Sequence, residues 1–460
     1  MSIADRNIHF QRMRAFFSDG HTRSFEFRKE QLRRLYAAIK ANEQQLHQAL
    51  REDLNKSPEE SWVTETGFVL SEITAALGGL KKWMRPARTK TNLLNFPSAS
   101  AVHHEPLGVA FVIGPWNYPV QLLFTPLVGA IAAGNCVVLK PSEIAAATST
   151  VIKTIIEATF PSEYVYVADG PGEEVVTGAM QGFRFDHVFF TGSTNVGKLV
   201  YQMAAAQLVP VTLELGGKSP CIVEEDADIK TAARRIAMTK FSNAGQMCVA
   251  PDYVLVHEKS RAAFIASLKT ILPEFFSADP SADYNYCKII NDAHFRRLER
   301  YLHDGTILHG GRCDAAKRYI EPTILGDVDL SSPVMQEEIF GPILPVLSFN
   351  DAEEAKKVIG LHPDPLAFYV YSSSRKLQRQ WIKAIPAGGV CINNSSWHLT
   401  NHHLPFGGRG ESGLGTYHGR YSFETFSHRK AVMKTPTWFD PNIKYPPFQG
   451  KLGLFKKLIR

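Results

Sequence analysis

The sequence predicts an α/β fold made of two successive β–α series, and three observations carry that prediction. From residue 109 onward, short runs that are apolar at every position alternate with longer segments at helical spacing, as strands covered on both faces do. The linking segments are long enough for helical crossovers, which makes neighbouring strands parallel. The same texture starts again near Val211, so the chain holds a second α/β unit. Its 460 residues leave room for a third, smaller one at about 150 residues per domain.

The elements follow in order. The first 90 or so residues read as helices: Leu32, Leu35, Tyr36 and Ile39 recur at i, i+3, i+4 and i+7, and few Gly or Pro interrupt them. At Arg85-Pro86 the texture becomes polar, and Pro106 closes that stretch. Strands are expected at 109–113, 136–139, 164–168 and 187–191, alternating with helices at 119–133, 145–160, 175–181 and 194–206. The second series has strands at 253–256, 343–347, 367–371 and 390–393, with helices such as 229–241 and 352–359. The last segment, 442–460, carries Lys444, Lys451, Lys456, Lys457 and Arg460 and no acid. Leu452, Phe455 and Ile459 repeat there at helical spacing, so a short basic amphipathic helix is expected after Pro446-Pro447.

Composition excludes several classes. A chain 44% hydrophobic and 21% charged is neither disordered, collagenous nor a small disulfide scaffold. A net charge of 51 − 45 = +6 gives no argument for a nucleic-acid partner. The six cysteines form no CxxC, which argues against zinc ribbons and thioredoxin-type pairs. Free thiols in a reducing cytoplasm are expected, with no metal. Residues 1–6 lack the apolar core of a signal peptide. The longest apolar stretch, 119–134, contains Gln121 and Pro126 and is too short to span a bilayer.

Four segments carry chemistry. Phe190-Thr191-Gly192-Ser193-Thr194-Asn195-Val196-Gly197-Lys198 follows a strand and opens a helix, a place suited to a pyrophosphate. Leu139-Lys140-Pro141-Ser142-Glu143 ends a strand, where ribose hydroxyls find a carboxylate and an ammonium. Cys248 lies in a Gly-containing loop after a long helix; taken alone it is a nucleophile or one of the many inert cysteines. Glu214, flanked by leucines and followed by two glycines, is oddly placed for a solvated charge. Burial would raise its pKa and suit a general base.

Together these segments, in this order, resemble the aldehyde dehydrogenase superfamily. Gly114-Pro115-Trp116-Asn117-Tyr118-Pro119, Glu337-Glu338-Ile339-Phe340-Gly341-Pro342 and Pro405-Phe406-Gly407-Gly408 agree, over about 70% of the chain. Tyr417-His418-Gly419 and Lys444-Tyr445-Pro446-Pro447 are similar to class 3, the group containing the dimeric and fatty aldehyde dehydrogenases.

The resemblance implies a Rossmann-like cofactor domain (1–86 and 107–211) and an α/β catalytic domain (212–405). It also implies a small β oligomerisation unit (87–106 and 406–440) and a tail at 441–460. By position it makes Cys248 the nucleophile, Glu214 the base and Asn117 the oxyanion-hole side chain. Gly192, Ser193, Thr194, Asn195, Val196 and Gly197 form the pyrophosphate loop. Lys140 and Glu143 meet the adenosine ribose, and Glu338 and Phe340 the nicotinamide ribose. The implied reaction oxidises medium- or long-chain aliphatic or aromatic aldehydes to acids with NAD, NADP being possible, in a homodimer. The tail is a lid, a weak membrane-surface contact or a structural element. Acylation of coenzyme A, a non-enzymatic scaffold and a cysteine hydrolase are the rivals; Glu214 argues against the first, the full set of Cys248, Glu214 and Asn117 against the second, and the absence of a histidine in a suggestive motif against the third. Trp116, Tyr118, Trp397 and Phe406 are candidates for an apolar funnel, and His402-His403 for loop residues near its mouth.

Overall fold

The computed structural model describes residues 3–459, so Met1, Ser2 and the tail's Arg460 lie outside it. The N-terminal region is helical as expected: Ile3–Ser18, Phe25–Ala41, Glu43–Leu54, Pro58–Ser61 and Gly67–Trp83. Ser24 caps the second of these by accepting from Phe27 N. Its Leu32, Leu35 and Ile39 stripe is fully buried. A π-helical turn, Trp62–Thr66, interrupts the series; no local pattern in the sequence announces it.

The first sheet has six strands in the order Gly413–Leu414, Val211–Leu215, His187–Gly192, Val109–Ile113, Cys136–Lys140, Val165–Val167. All neighbours pair in parallel except Gly413–Leu414. Strand order therefore reverses at Val109–Ile113, and the crevice beyond the carboxyl ends of that strand and His187–Gly192 is where such sheets hold ligands. The helix Gln121–Ala133 behind it is buried at every position, including Pro126.

The second sheet has seven strands: Thr306–His309, Thr323–Gly326, Ile343–Phe349, Tyr253–His257, Pro220–Val223, Ala367–Tyr371 and Gly389–Ile392. Only Thr306–His309 runs antiparallel. One boundary differs from the sequence reading. Val211–Leu215 does not open this sheet; it belongs to the first, between His187–Gly192 and Gly413–Leu414, and Pro220–Val223 starts the second series. A buried apolar strand suits either sheet, and the short crossover helix Thr194–Ala205 returns it beside its predecessor.

A third sheet joins Ala87–Thr89, Ala99–Pro106 and Ser427–Lys434, all antiparallel, with eight residues of the last in register from Ser427↔Pro106 to Lys434↔Ala99. Ser427–Lys434 lies at the edge of this sheet. The expected tail helix is Leu452–Leu458. Among the described residues no helix is long and apolar enough to cross a membrane.

Candidate active site

Two cavities meet at Cys248. One is a polar cleft of about 600 Å³ at the crevice just described. The other, of about 160 Å³, is almost wholly apolar, with walls that include Phe68, Tyr118, Met238, Trp397, Leu399 and Phe406. Cys248 and Leu122 are the residues common to both walls. Three of the four aromatic funnel candidates thus line the apolar cavity. Trp116 instead lines the cleft, 5.3 Å edge-on from the Phe340 ring. His402 and His403 sit in a turn and line neither cavity.

The Cys248 loop is set by the helix Ile229–Phe241, which Asp228 caps by accepting from Thr231 N. Beyond that helix Asn243, Ala244 and Gly245 are all left-handed, at φ 49°, 50° and 72°. A Cβ on Gly245 would fall 2.2 Å from Gly341 O, so only glycine fits there. Asn243 and Gln246 brace the turn: Asn243 Nδ2 donates to Asn117 O (2.9 Å), and Gln246 Nε2 to Asn243 O (3.0 Å). Asn117, nearly fully buried, donates one Nδ2 hydrogen to Gln246 O at 3.1 Å. Among the described residues its second hydrogen has no partner, which leaves it available to a ligand oxygen in the cleft.

Glu214 stands on Val211–Leu215 directly opposite Thr191 in the parallel register. It is 1% exposed, and neither oxygen makes a hydrogen bond of good geometry among the described residues. Burial pushes its pKa up to about 7, while the Cys248 thiol and Thr191 hydroxyl beside it pull the other way. Cys248 is half-buried, and its thiol is pushed far above the usual range, first by burial and then by the charges of Glu214 and Glu338. The resting site therefore holds a neutral thiol next to a carboxyl able to exchange a proton near neutrality.

Glu338 reaches the cleft because residue 216 is glycine; a Cβ there would lie 1.8 Å from Glu338 Oε2. Its pKa rises to about 8, mainly by burial and by the Asp252 charge. The loop carrying it is clamped by a buried ion pair. Lys218 Nζ bonds Asp252 and donates to Val334 O and Glu337 O, both at 2.9 Å, and Asp252 accepts from Ile339 N at 3.0 Å. Phe340, at φ 48°, follows this clamp and lines the cleft.

Gly192, Ser193, Thr194 and Asn195 line the cleft at the start of the helix Thr194–Ala205, which Ser193 caps through Val196 N. Unpaired first-turn N–H groups at such an end suit a pyrophosphate. The residues present thus fit a dinucleotide. Val196 and Gly197 do not line the cleft. Val196 is exposed, and Gly197 lets the helix lie against Leu215, whose Cδ2 would be 2.5 Å from a Cβ. Lys140 and Glu143 also stand outside its wall. Buried Lys140 donates to Pro141 O (2.7 Å) and Glu143 (2.8 Å), and Glu143 also accepts from Gly172 N at 2.7 Å. Among the described residues no cluster of His, Cys, Asp and Glu could hold a metal.

Comparison with known proteins points one way. The family described as "Aldehyde dehydrogenase family" matches residues 4–432. The chain is 45% identical over 453 residues to 4,4'-diaponeurosporen-aldehyde dehydrogenase of Staphylococcus aureus, covering 98% of each protein. It is 43% identical over 444 residues to aldehyde dehydrogenase family 3 member B1 of Rattus norvegicus, covering 96% of this chain and 94% of that one. Among solved structures, the substrate-bound state of Staphylococcus aureus AldH superposes with a TM-score of 0.97 at 44% identity over 100% of both chains. The NAD-dependent aldehyde dehydrogenase of Sinorhizobium meliloti gives 0.86 at 31% identity over 96% of this chain and 88% of that one.

Proposed function

The chain belongs to the aldehyde dehydrogenase family, and on that premise we propose that Cys248, Asn117 and Glu214 carry its chemistry. The protein oxidises aldehydes to carboxylic acids with NAD. The observation that supports these roles is Cys248's place in the shared wall of a dinucleotide-sized polar cleft and an apolar cavity. An aldehyde entering from the apolar side meets the sulfur there.

The Cys248 thiol gives up its proton to water in the cleft as its sulfur adds to the carbonyl carbon, and the carbonyl oxygen becomes an oxyanion held by the free N–H of Asn117. The C–H bond then breaks and leaves a thioester on Cys248. Bound NAD supplies the hydride acceptor. Glu214 takes a proton from water as it attacks the thioester; the C–S bond then breaks, the acid leaves, and that proton passes to the Cys248 sulfur to restore the thiol. Removing one oxyanion donor typically costs roughly 2.7–4 kcal/mol of transition-state stabilisation.

The apolar cavity supports medium- or long-chain aliphatic and aromatic aldehydes as the substrate class. A chain-length panel with acid products quantified, with and without coenzyme A, tests this reading. Acid formation independent of coenzyme A and kcat/KM rising with chain length are expected; an acyl-coenzyme A product would overturn it. Glu143 discriminates cofactors. Held by Lys140 and Gly172 N beyond the cleft wall, where the family resemblance puts the adenosine ribose, its half-exposed carboxylate would repel a 2′-phosphate, so NAD should be preferred. Glu143→Gln should raise the NADP/NAD ratio of kcat/KM about tenfold, an electrostatic relief of roughly 1.4 kcal/mol.

The exposed edge of Ser427–Lys434 supports a homodimer built by sheet extension. Light scattering should give twice the chain mass at micromolar concentration, and a stable monomer would refute it. Six free thiols support a reducing, cytoplasmic setting. In the tail, Phe448, Leu452, Leu454 and Ile459 are exposed beside Lys456 and Lys457, which supports a lid or a weak contact with an anionic membrane surface. A chain ending at Tyr445 should lose kcat/KM for long-chain aldehydes and keep it for propanal. Equal losses, or a broken dimer, would make the tail structural.

A further inference from the structure

Beneath the Asn117 turn lies an ion pair that the chemistry above does not use. Lys56 and Glu65 are both fully buried and meet at 2.6 Å. Lys56 precedes the helix Pro58–Ser61, and Glu65 belongs to the π turn Trp62–Thr66. A dry ion pair is a poor source of stability compared with apolar packing, so its other contacts matter more. Among the described residues, its hydrogen bonds outside the pair and the ammonium's ring contact fall on residues 117–121, and the ammonium also faces the Glu60 carboxyl. Lys56 Nζ donates to Asn117 O at 2.9 Å and stands 3.9 Å over the Tyr118 ring. The second Glu65 oxygen accepts from Val120 N (3.0 Å) and Gln121 N (2.9 Å), capping the helix Gln121–Ala133. Glu60, from the same segment, accepts from Asn243 N at 2.8 Å, and Asn243 in turn bonds Asn117 O. The Asn117 turn and the Cys248 loop thus hang on three charged side chains within residues 56–65.

We propose that Lys56 is a positioning residue for aldehyde oxidation: held by Glu65, its ammonium fixes the Asn117 backbone and so aims the Asn117 amide at the oxygen of an aldehyde on Cys248. The inference rests on the reading of Asn117 as the oxyanion donor. Lys56 lines neither cavity, so it acts through Asn117 and not on the substrate. Charged groups without water around them have few alternative partners, which suits them to holding a geometry.

Removing one charge would strand the other. The test is therefore the double variant Lys56→Met/Glu65→Gln, whose position-65 amide oxygen still accepts from Val120 and Gln121. Its NADH burst with decanal is followed by stopped flow. The burst amplitude per subunit and NAD binding by fluorescence should match the parent. The burst rate constant should fall about tenfold, less than the roughly hundredfold that a 1 Å misplacement costs. A lowered amplitude at an unchanged rate would show a structural role only and overturn the proposal, as would a native burst. If the double variant does not fold, Lys56→Arg, which keeps a charge for Glu65, is read the same way. Asn117→Ala is measured in parallel. A native burst rate there would sink the oxyanion reading itself, whereas a slowed Asn117→Ala beside an unaffected Lys56 variant would sink the positioning role alone.

Discussion

Cys248→Ser should form essentially no NADH from any aldehyde while still binding NAD. The expected loss is on the order of 10⁴-fold or more, as for other residues whose removal takes away the nucleophile. The site that raises the Cys248 thiol, through burial and two neighbouring carboxyls, would hold a hydroxyl protonated even more firmly. The serine oxygen therefore has no route to an alkoxide. NAD binding should survive because Gly192, Ser193 and Thr194 lie on a different strand and helix. Replacing any of the other five cysteines should leave turnover largely intact. Cys136, Cys221, Cys287 and Cys391 are buried, Cys313 is exposed, and none of them lines either cavity. NADH absorbance and NAD-induced fluorescence change check the two halves of this prediction. Near-native turnover would remove Cys248 from its role.

What was legible in the sequence depended on how local each feature is. The strand expected at 109–113 is Val109–Ile113 to the residue, because a strand buried on both faces marks itself by an unbroken apolar run. Val211–Leu215 is apolar apart from Thr212 and Glu214, yet its sheet depends on a partner outside its own sequence. Gly413–Leu414 then adds to it from two hundred residues further on, too short to leave any pattern. The site divides in the same way. Cys248, Glu214 and the turn after His187–Gly192 each break the texture of their surroundings and can be found. Of the apolar cavity's walls, Tyr118, Trp397 and Phe406 are offered by the sequence as funnel candidates, whereas Phe68 and Met238 have nothing to set them apart until the fold brings them together. Lys56 and Glu65 stay unmarked in the sequence, since a buried ion pair has no signature in either partner's neighbours. Val196 and Gly197 show the converse: the motif extends through them, but they serve its helix and its packing, not the cleft wall.

Glu214→Gln should separate the two halves of the reaction. Hydride leaves before the base is needed, so a first turnover should still appear as an NADH burst. The substitution also removes the Glu214 charge that disfavours a thiolate at Cys248, so sulfur addition is not penalised. Thioester hydrolysis then stalls, with turnover falling about 10²- to 10⁴-fold for loss of a general base. Intact mass spectrometry should show the acyl adduct on Cys248. The pH dependence follows from the Glu214 pKa of about 7. Above that value the carboxylate can accept the proton of water; below it the group is already protonated. Steady-state turnover of the parent should therefore fall as pH drops through about 7, and the variant's residual rate should lose that inflection. Stability carries the opposite slope. A carboxyl raised by burial holds its proton in the folded protein after the unfolded chain has released it. Its contribution is full below the unfolded value and is lost as pH rises toward and through about 7. The glutamine amide has no charge to bury, so the variant should gain Tm relative to the parent at pH 8 and lose that advantage at pH 5. If neither burst nor adduct appears, the base lies elsewhere. Glu338 is then the alternative, since it shares the cleft wall and its pKa is pushed to about 8.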